Sequence, residues 1–252
     1  MSTASQVLLE TRGLSVHFGG LKAVDDVSLA LRAGIVTTLV GPNGAGKTTL
    51  FNLITGHLAP HAGDVRWLGR SIKGVPHWRI AREGIGRTFQ DLKLFDHMSV
   101  LENALAVIER DAWLWQRGGK VSAAERLARA ESALQAVGLI DRRHTRALDL
   151  AYAERKFLSL ARVIASGARL WLLDEPASGL DPRSYERFLL VLREQVRSGC
   201  TICIIEHNLD IVHGISDRIV FLDQGRVLAE GDPKGILSDP NLAAIYFGER
   251  IQ

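Results

Sequence analysis

The chain has 252 residues, of which 46% are hydrophobic and 23% are charged, and its formal net charge is +3. This is the composition of an ordinary globular protein with one large or two small domains, and the charge is too small to argue for a nucleic-acid partner. The sequence has no apolar stretch long enough to span a membrane and no secretory signal at its start. We therefore expect a cytosolic protein that can dock onto a membrane partner.

Alternating apolar and polar side chains dominate the beginning of the chain. Residues 8–18 and 23–31 alternate in this way on either side of Gly19-Gly20, which predicts two antiparallel strands joined by a turn. The apolar, β-branched run 36–40 then predicts a buried strand.

A phosphate-binding loop follows that strand. Residues 41–48 match the pattern G-x-x-x-x-G-K-[ST] without departure, and a helix-like run at 48–54 comes next, so the motif has the strand–loop–helix context that it requires. In such a loop the backbone N–H groups surround phosphate oxygens, Lys47 reaches the outer phosphates and the Thr48 hydroxyl can bind Mg²⁺. The alternative is a glycine-rich turn that binds no ligand. Such a turn would not require a strand before it and a helix after it. The predicted nucleotide-binding residues are Gly41, Pro42, Asn43, Gly44, Ala45, Gly46, Lys47, Thr48 and Thr49.

From about residue 100 to residue 165 the apolar side chains no longer alternate with polar ones but have the spacing of a helix. Apolar side chains recur there three and four residues apart, for example between Leu101 and Ile108, and Gly118-Gly119 breaks the region in two. We place a helical subdomain at approximately residues 92–160, inserted into a single domain that covers residues 1–252.

Two carboxylates end the next apolar run. Residues 169–175 are typical of a fully buried parallel strand, and its last residues are Asp174 and Glu175. In P-loop hydrolases a strand-end Asp helps to hold Mg²⁺, which suits Asp174. A neighbouring carboxylate can act as general base on the attacking water, which suits Glu175. The alternative is a buried strand that merely ends in solvated acids.

Helices and apolar strands alternate in the last part of the chain, which is typical of an α/β fold with a parallel sheet. The predicted elements are helices at 184–197 and 209–215 and strands at 201–205, 218–222 and 226–229. Cys200 and Cys203 have a C-x-x-C spacing, which could indicate a redox or metal site. Because both cysteines lie in an apolar run that predicts a buried strand, we favour buried, reduced cysteines.

With these motifs the chain resembles the ATP-binding subunits of ABC transporters over essentially all of its length. The resemblance implies a P-loop NTPase fold, with a RecA-like parallel-sheet core, an N-terminal antiparallel β subdomain and the inserted helical subdomain. It also implies an ATP hydrolase that uses ATP and Mg²⁺ and lies at the cytoplasmic face of the inner membrane.

Several residues take their roles only from that resemblance. Gln90 matches the Q-loop glutamine, which senses Mg²⁺ and links the nucleotide to the membrane partner, so it joins Thr48 and Asp174 at the metal. His207 matches the switch histidine that contacts the γ-phosphate, and Phe18 stands where the family stacks an aromatic ring on adenine. Viewed alone, Phe18 could belong to the core and His207 could be an ordinary strand-end histidine. The D-loop, which reaches across a dimer interface, matches Ser178, Gly179, Leu180 and Asp181.

Within the family the chain is most similar to the ATPases of branched-chain amino-acid importers, on the segments 18–24, 205–208, 214–219 and 246–249. Such importers pair two different ATPase subunits with two transmembrane permease subunits and a periplasmic solute-binding protein. Importers of urea, short amides or aromatic acids, the lipopolysaccharide exporter and a non-hydrolysing regulatory subunit are alternatives. ABC ATPases that act on DNA or ribosomes carry long coiled coils or tandem cassettes, which this chain lacks.

The chain departs from the family at its signature motif, Leu-Ser-Gly-Gly-Gln, which caps the γ-phosphate bound by the opposite subunit. The equivalent residues after Leu150 are Ala151, Tyr152, Ala153 and Glu154. Tyr152 is typical of the importer subgroup, whereas Ala151 removes a hydroxyl and Ala153 adds a Cβ. Losing one hydrogen bond to a charged group costs about 1.5–3 kcal/mol, or about 10–150-fold. We therefore predict a heterodimer with one dominant hydrolytic site; the alternative is that the loop tolerates alanine and both sites turn over.

Overall fold

The computed structural model describes residues 6–108 and 121–247, with the side chains in those ranges except at positions 209–211, 243 and 247. Within these residues, no helix combines the length and the apolar character needed to cross a membrane.

Strands and helices alternate through most of the described chain. The strands are β1 Val7–Phe18, β2 Leu21–Arg32, β3 Val36–Val40, β4 Ala62–Trp67, β5 Arg70–Ser71, β6 Ile85–Arg87, β7 Leu170–Asp174, β8 Thr201–Ile205, β9 Arg218–Asp223 and β10 Arg226–Gly231. The α-helices are α1 Lys47–Ile54, α2 His77–Arg82, α3 Val100–Ile108, α4 Ala123–Ala136, α5 Tyr152–Ser166, α6 Pro182–Arg197, α7 Leu209–Ile215, α8 Pro233–Leu237 and α9 Pro240–Phe247.

The chain divides into two compact units, and the first contains the described parts of residues 1–87, 169–175 and 195–252. This unit holds an antiparallel sheet in the order β2-β1-β4-β5 and a second sheet in the order β10-β9-β3-β8-β7-β6. The second sheet is parallel from β9 to β6, and only β10 pairs antiparallel, with β9. The predicted N-terminal strand pair and the predicted parallel sheet are therefore confirmed.

The parallel sheet brings three chain segments to one edge. Every residue of β3, β7 and β8 is buried, as their near-continuous apolar sequences predict. Leu39 of β3 and Asp174 of β7 both pair with Ile205 of β8. The segments that follow these strands, which contain Gly41, Glu175 and His207 respectively, therefore leave the sheet side by side, where open α/β sheets bind their ligands.

The second unit contains the described parts of residues 88–168 and 176–194. Its helices α3, α4 and α5 pack on one another, together with the first part of α6, and Phe157 and Phe188 approach within 6.4 Å between ring centroids. The helical subdomain predicted at approximately 92–160 falls within the first of these stretches. The predicted break at Gly118-Gly119 lies outside the described residues.

Some short elements were not predicted from the sequence. Helix α2 has only one buried side chain, Ile80, so its sequence carries no apolar stripe. Helices α8 and α9 are also short, with five and eight residues. Cys200 and Cys203 are free and buried as predicted, and burial raises the pKa of the Cys200 thiol to about 12.

Candidate functional site

The phosphate-loop glycines serve two different purposes. Gly41 has φ +145°, and a Cβ there would lie 1.9 Å from the carbonyl oxygen of Leu222. Gly46 has φ +99°, and a Cβ there would lie 2.1 Å from the carbonyl oxygen of Ala23. Gly44 also has a positive φ, +83°, but nothing lies within 4 Å of its Cβ position. Close backbone packing therefore requires the outer glycines, whereas Gly44 leaves open space at the exposed turn of the loop.

The turn between β9 and β10, which is far from the phosphate loop in the sequence, supports this loop. The Gly225 N–H, between β9 and β10, donates to the Ala45 carbonyl at 3.0 Å, and the Gly225 carbonyl accepts from the Asp25 N–H at 2.9 Å. Arg226 closes the arrangement with an ion pair to Asp25 at 2.6 Å. The loop thus rests on β2 and on the β9–β10 turn, which no local pattern in the sequence predicts.

Lys47 is almost fully buried at the start of α1. Its Nζ donates to the carbonyl oxygens of Gly41 and Pro42, both at 2.8 Å. Burial lowers the pKa of Lys47, while the negative charges of Glu175 and Asp174 raise it. The lysine therefore lies inside its own loop, with two carboxylates close enough to influence its charge.

Asp174 lies beside the phosphate loop, as its place at a strand end predicts. Thr48 Oγ1 is 3.4 Å from Asp174 Oδ1. On the other side, Arg87 Nη2 is 3.6 Å from Asp174 Oδ2, and the two side chains are only 5% and 4% exposed. Burial raises the pKa of Asp174, and the positive charge of Arg87 opposes that rise. Arg87 in turn donates to Asn52 at 2.8 Å and to Thr55 at 3.0 Å.

Glu175 and His207 meet at the same sheet edge. His207 Nε2 lies 2.7 Å from Glu175 Oε1. Glu175 has a φ of +45°, a left-handed conformation that costs a residue with a side chain about 1–3 kcal/mol. Its backbone is held there by a hydrogen bond from its N–H to the Ile205 carbonyl at 3.1 Å. A left-handed backbone at the end of β7 thus accompanies the contact between the Glu175 carboxylate and the His207 ring.

Several of the predicted nucleotide contacts lie at exposed positions. Phe18, the last residue of β1, is 51% exposed, so it is not the core residue that its sequence alone allows. Gln90 is exposed and follows β6 in the chain, but it belongs to the other unit. Asn43, Gly44 and Thr48 are also exposed.

The signature segment begins helix α5 in the second unit. Ala151 is the N-cap residue and has no side-chain acceptor, and only the reverse bond of a capping box is present, from the Ala151 N–H to Glu154 Oε2 at 2.9 Å. Tyr152, 54% exposed, lies against the D-loop: a Cβ on Gly179 would be 3.0 Å from its ring. The Asp181 carboxylate accepts the N–H groups of Arg183 and Ser184, so it caps α6.

Sequence reasoning missed several residues around the site. Arg87 lies beside Asp174 and donates to Asn52, and the sequence around these positions gives no sign of either contact. Tyr246, in the last described helix, donates its hydroxyl to the backbone carbonyl of His207.

A glycine-rich phosphate loop between a buried strand and a helix, with an acidic strand end beside it, defines a P-loop nucleotide-binding protein. The family model described as ABC transporter matches residues 24–178. The chain therefore belongs to the ABC transporter family of ATP-binding proteins.

Known proteins align with nearly the full length of this chain. The high-affinity branched-chain amino acid transport ATP-binding protein LivG of Salmonella typhimurium is 39% identical, over 97% of this chain and 99% of the relative. The corresponding protein BraF of Pseudomonas aeruginosa is 38% identical over the same shares. The crystal structure of the ADP conformation of MJ1267, an ATP-binding cassette of an ABC transporter, has a TM-score of 0.85 at 31% identity and covers 97% of this chain and 100% of its own. The predicted family, fold class and ATPase class are confirmed.

Proposed function

We propose that this chain is the ATP-hydrolysing subunit of an importer for branched-chain amino acids or a related small polar solute. One observation carries the proposal. At a single sheet edge, Asp174 lies 3.4 Å from Thr48 of the phosphate loop, and Glu175 lies 2.7 Å from His207. A phosphate-binding loop, a carboxylate for the metal side and a second carboxylate paired with a histidine are the parts that ATP hydrolysis needs.

The loop binds the phosphates of ATP. Its backbone N–H groups and the start of α1 favour negative charge, and Lys47 neutralises the outer phosphates. Lys47 then exchanges its bonds to the Gly41 and Pro42 carbonyls for phosphate oxygens. The exposed ring of Phe18 stacks on the adenine.

The donor groups beside the loop fit Mg²⁺. Thr48 supplies a hydroxyl and Asp174 a carboxylate, and hard oxygen donors of this kind, with phosphate oxygens and water, are what Mg²⁺ prefers. When bound, the ion neutralises charge on the outer phosphates. Following the family resemblance, Gln90 would join Thr48 and Asp174 in holding the ion.

Glu175 is the general base. It accepts a proton from the water whose oxygen attacks the γ-phosphorus, and the bond between that phosphorus and the oxygen of the ADP leaving group breaks. A positioned general base contributes about 10²–10⁴-fold to the rate. His207 contacts the γ-phosphate and keeps the Glu175 carboxylate in place through their mutual hydrogen bond.

The signature and D-loop segments act on a partner subunit's nucleotide. Ala151 at the cap and Ala153 in the first turn weaken what this chain offers to the partner, so we infer a heterodimer in which the partner supplies the intact signature. Two transmembrane permease subunits convert closure of the dimer into alternating access, and a periplasmic solute-binding protein delivers the solute. The chain then sits at the cytoplasmic face of the inner membrane, with no nucleic-acid partner.

The names of the relatives support branched-chain amino acids as the solute. The two bacterial relatives are named as high-affinity branched-chain amino acid transport proteins and cover nearly the whole chain. Uptake of radiolabelled leucine, isoleucine and valine by a strain that lacks this gene tests the proposal. We expect the wild-type chain to restore uptake and Glu175→Gln to fail, while the exposed control Glu186→Gln restores it. Failure of the wild-type chain to restore uptake of any of the three amino acids, or uptake with Glu175→Gln at the wild-type rate, would contradict it.

A further inference from the structure

The last described helix, α9, is connected directly to the segment that carries His207. Tyr246 of α9 donates its hydroxyl hydrogen to the backbone carbonyl oxygen of His207. The two residues are 39 positions apart in the chain. Residues 206–208 belong to no strand or helix, so the peptide of His207 depends on contacts of this kind for its orientation.

Helix α9 itself is packed firmly. Leu242 is 7% exposed and joins a small core with Val40, Val212 and Phe221. The Tyr246 ring lies edge-on to Phe221, with 6.4 Å between the ring centroids. Val40 is the residue directly before the phosphate loop. The hydroxyl of Tyr246 is therefore held in a fixed place relative to that loop.

The hydroxyl also keeps its proton. Burial raises the pKa of Tyr246, and the negative charge of Glu206 raises it further. Because an ionised tyrosine could not donate, this environment preserves the bond to the His207 carbonyl across the neutral range.

His207 is thus held at two points. Its imidazole Nε2 is 2.7 Å from Glu175 Oε1, and its carbonyl oxygen accepts the Tyr246 hydroxyl. Fixing the peptide restricts the backbone rotation that would carry the ring away from Glu175. The ring and the peptide together hold the histidine beside the Glu175 carboxylate.

We propose that Tyr246 is a positioning residue for ATP hydrolysis, which holds His207 in the orientation that engages Glu175 and the γ-phosphate. This inference rests on the proposed function. It assigns to the C-terminal helix a part in turnover, since α9 carries the hydroxyl that orients a residue at the reacting phosphate.

Tyr246→Phe tests the inference because it removes the hydroxyl and keeps the ring. ATP hydrolysis is measured in the complete transporter, with kcat and KM determined separately. We expect kcat to fall about three- to tenfold, the loss of one neutral hydrogen bond, while KM for ATP changes by less than about twofold. In a His207→Ala background, Tyr246→Phe should have no further effect on kcat, because the hydroxyl acts only through the histidine.

Phe221→Leu is the matched packing control. It removes the ring that contacts Tyr246 and keeps the hydroxyl, so it should lower the thermal midpoint. Because it loosens the hydroxyl without removing it, it should lower kcat less than Tyr246→Phe does. An unchanged kcat in Tyr246→Phe, or an equal further loss in the His207→Ala background, would overturn the inference. Glu175→Gln is measured in parallel: if it hydrolyses ATP at the wild-type rate, the proposed function itself fails, whatever Tyr246→Phe does.

Discussion

Two arginine–carboxylate ion pairs have similar N–O distances, but one pair is buried and the other is largely exposed. Arg87 and Asp174, beside the phosphate loop, are 3.6 Å apart and only 5% and 4% exposed. Arg142 and Glu154, at the signature segment, are 3.8 Å apart and 46% and 31% exposed. The nucleotide side of this chain is therefore fixed by buried contacts, while the segment that we assign to the partner's nucleotide is held at the surface.

Helix starts give the same contrast within the helical unit. In front of α4, Ser122 accepts from the Glu125 N–H and Glu125 accepts from the Ser122 N–H, which completes a capping box. Ser99 makes both bonds with Glu102 in front of α3. Only Ala151, in front of α5, lacks the side-chain oxygen among these three starts. The loss at the signature is thus a local change in a unit that otherwise caps its helices normally.

The largest effect that we predict compares the two ion pairs directly. Arg87→Met removes the buried positive charge beside the Asp174 carboxylate and should lower the free energy of unfolding by about 3–5 kcal/mol. Arg142→Met removes an exposed pair and should cost less than about 1 kcal/mol. Urea unfolding of both variants measures the difference. Equal losses would show that burial does not distinguish the two regions.

A smaller effect is expected at the partner's nucleotide. In the heterodimer, with Glu175→Gln silencing this chain's own site, the double change Ala151→Ser and Ala153→Gly should raise hydrolysis by about 10–150-fold, the value of one hydrogen bond to a charged phosphate. Steady-state ATPase assays of the two heterodimers measure it. No gain, in a heterodimer whose partner still has its own catalytic glutamate, would mean that alanine at these positions is tolerated.

The smallest effect concerns the cap alone. Ala151→Ser gives α5 an N-cap oxygen while Glu154 already accepts the reverse bond, and it should raise the free energy of unfolding by about 0.5–2 kcal/mol. Ser122→Ala, the mirror change in front of α4, should lower it by a similar amount. Thermal unfolding of the pair provides the check. If Ser122→Ala lowers stability but Ala151→Ser does not raise it, the new serine in front of α5 does not reach capping geometry.

Sequence reasoning predicted the strands and the helix that carry the candidate site, because their patterns are local. The phosphate loop, the acidic end of β7 and the strand before His207 are contiguous patterns, and the structure brings Thr48, Asp174, Glu175 and His207 to one sheet edge. It failed where contacts join distant segments. Arg87, the Gly225 turn beneath the loop and Tyr246 are set by tertiary packing, and their own neighbours in the sequence carry no periodic signal.

The most direct test of the contrast between the two regions is an asymmetry measurement in the assembled heterodimer. Glu175→Gln in this chain is compared with the equivalent change in the partner subunit, and steady-state ATP hydrolysis is recorded for each. We predict that the hydrolysing site combines this chain's catalytic residues with the partner's signature motif. In that case Glu175→Gln removes nearly all activity, whereas the equivalent change in the partner leaves most of it. Equal losses from the two changes would contradict the account, because both sites would then turn over.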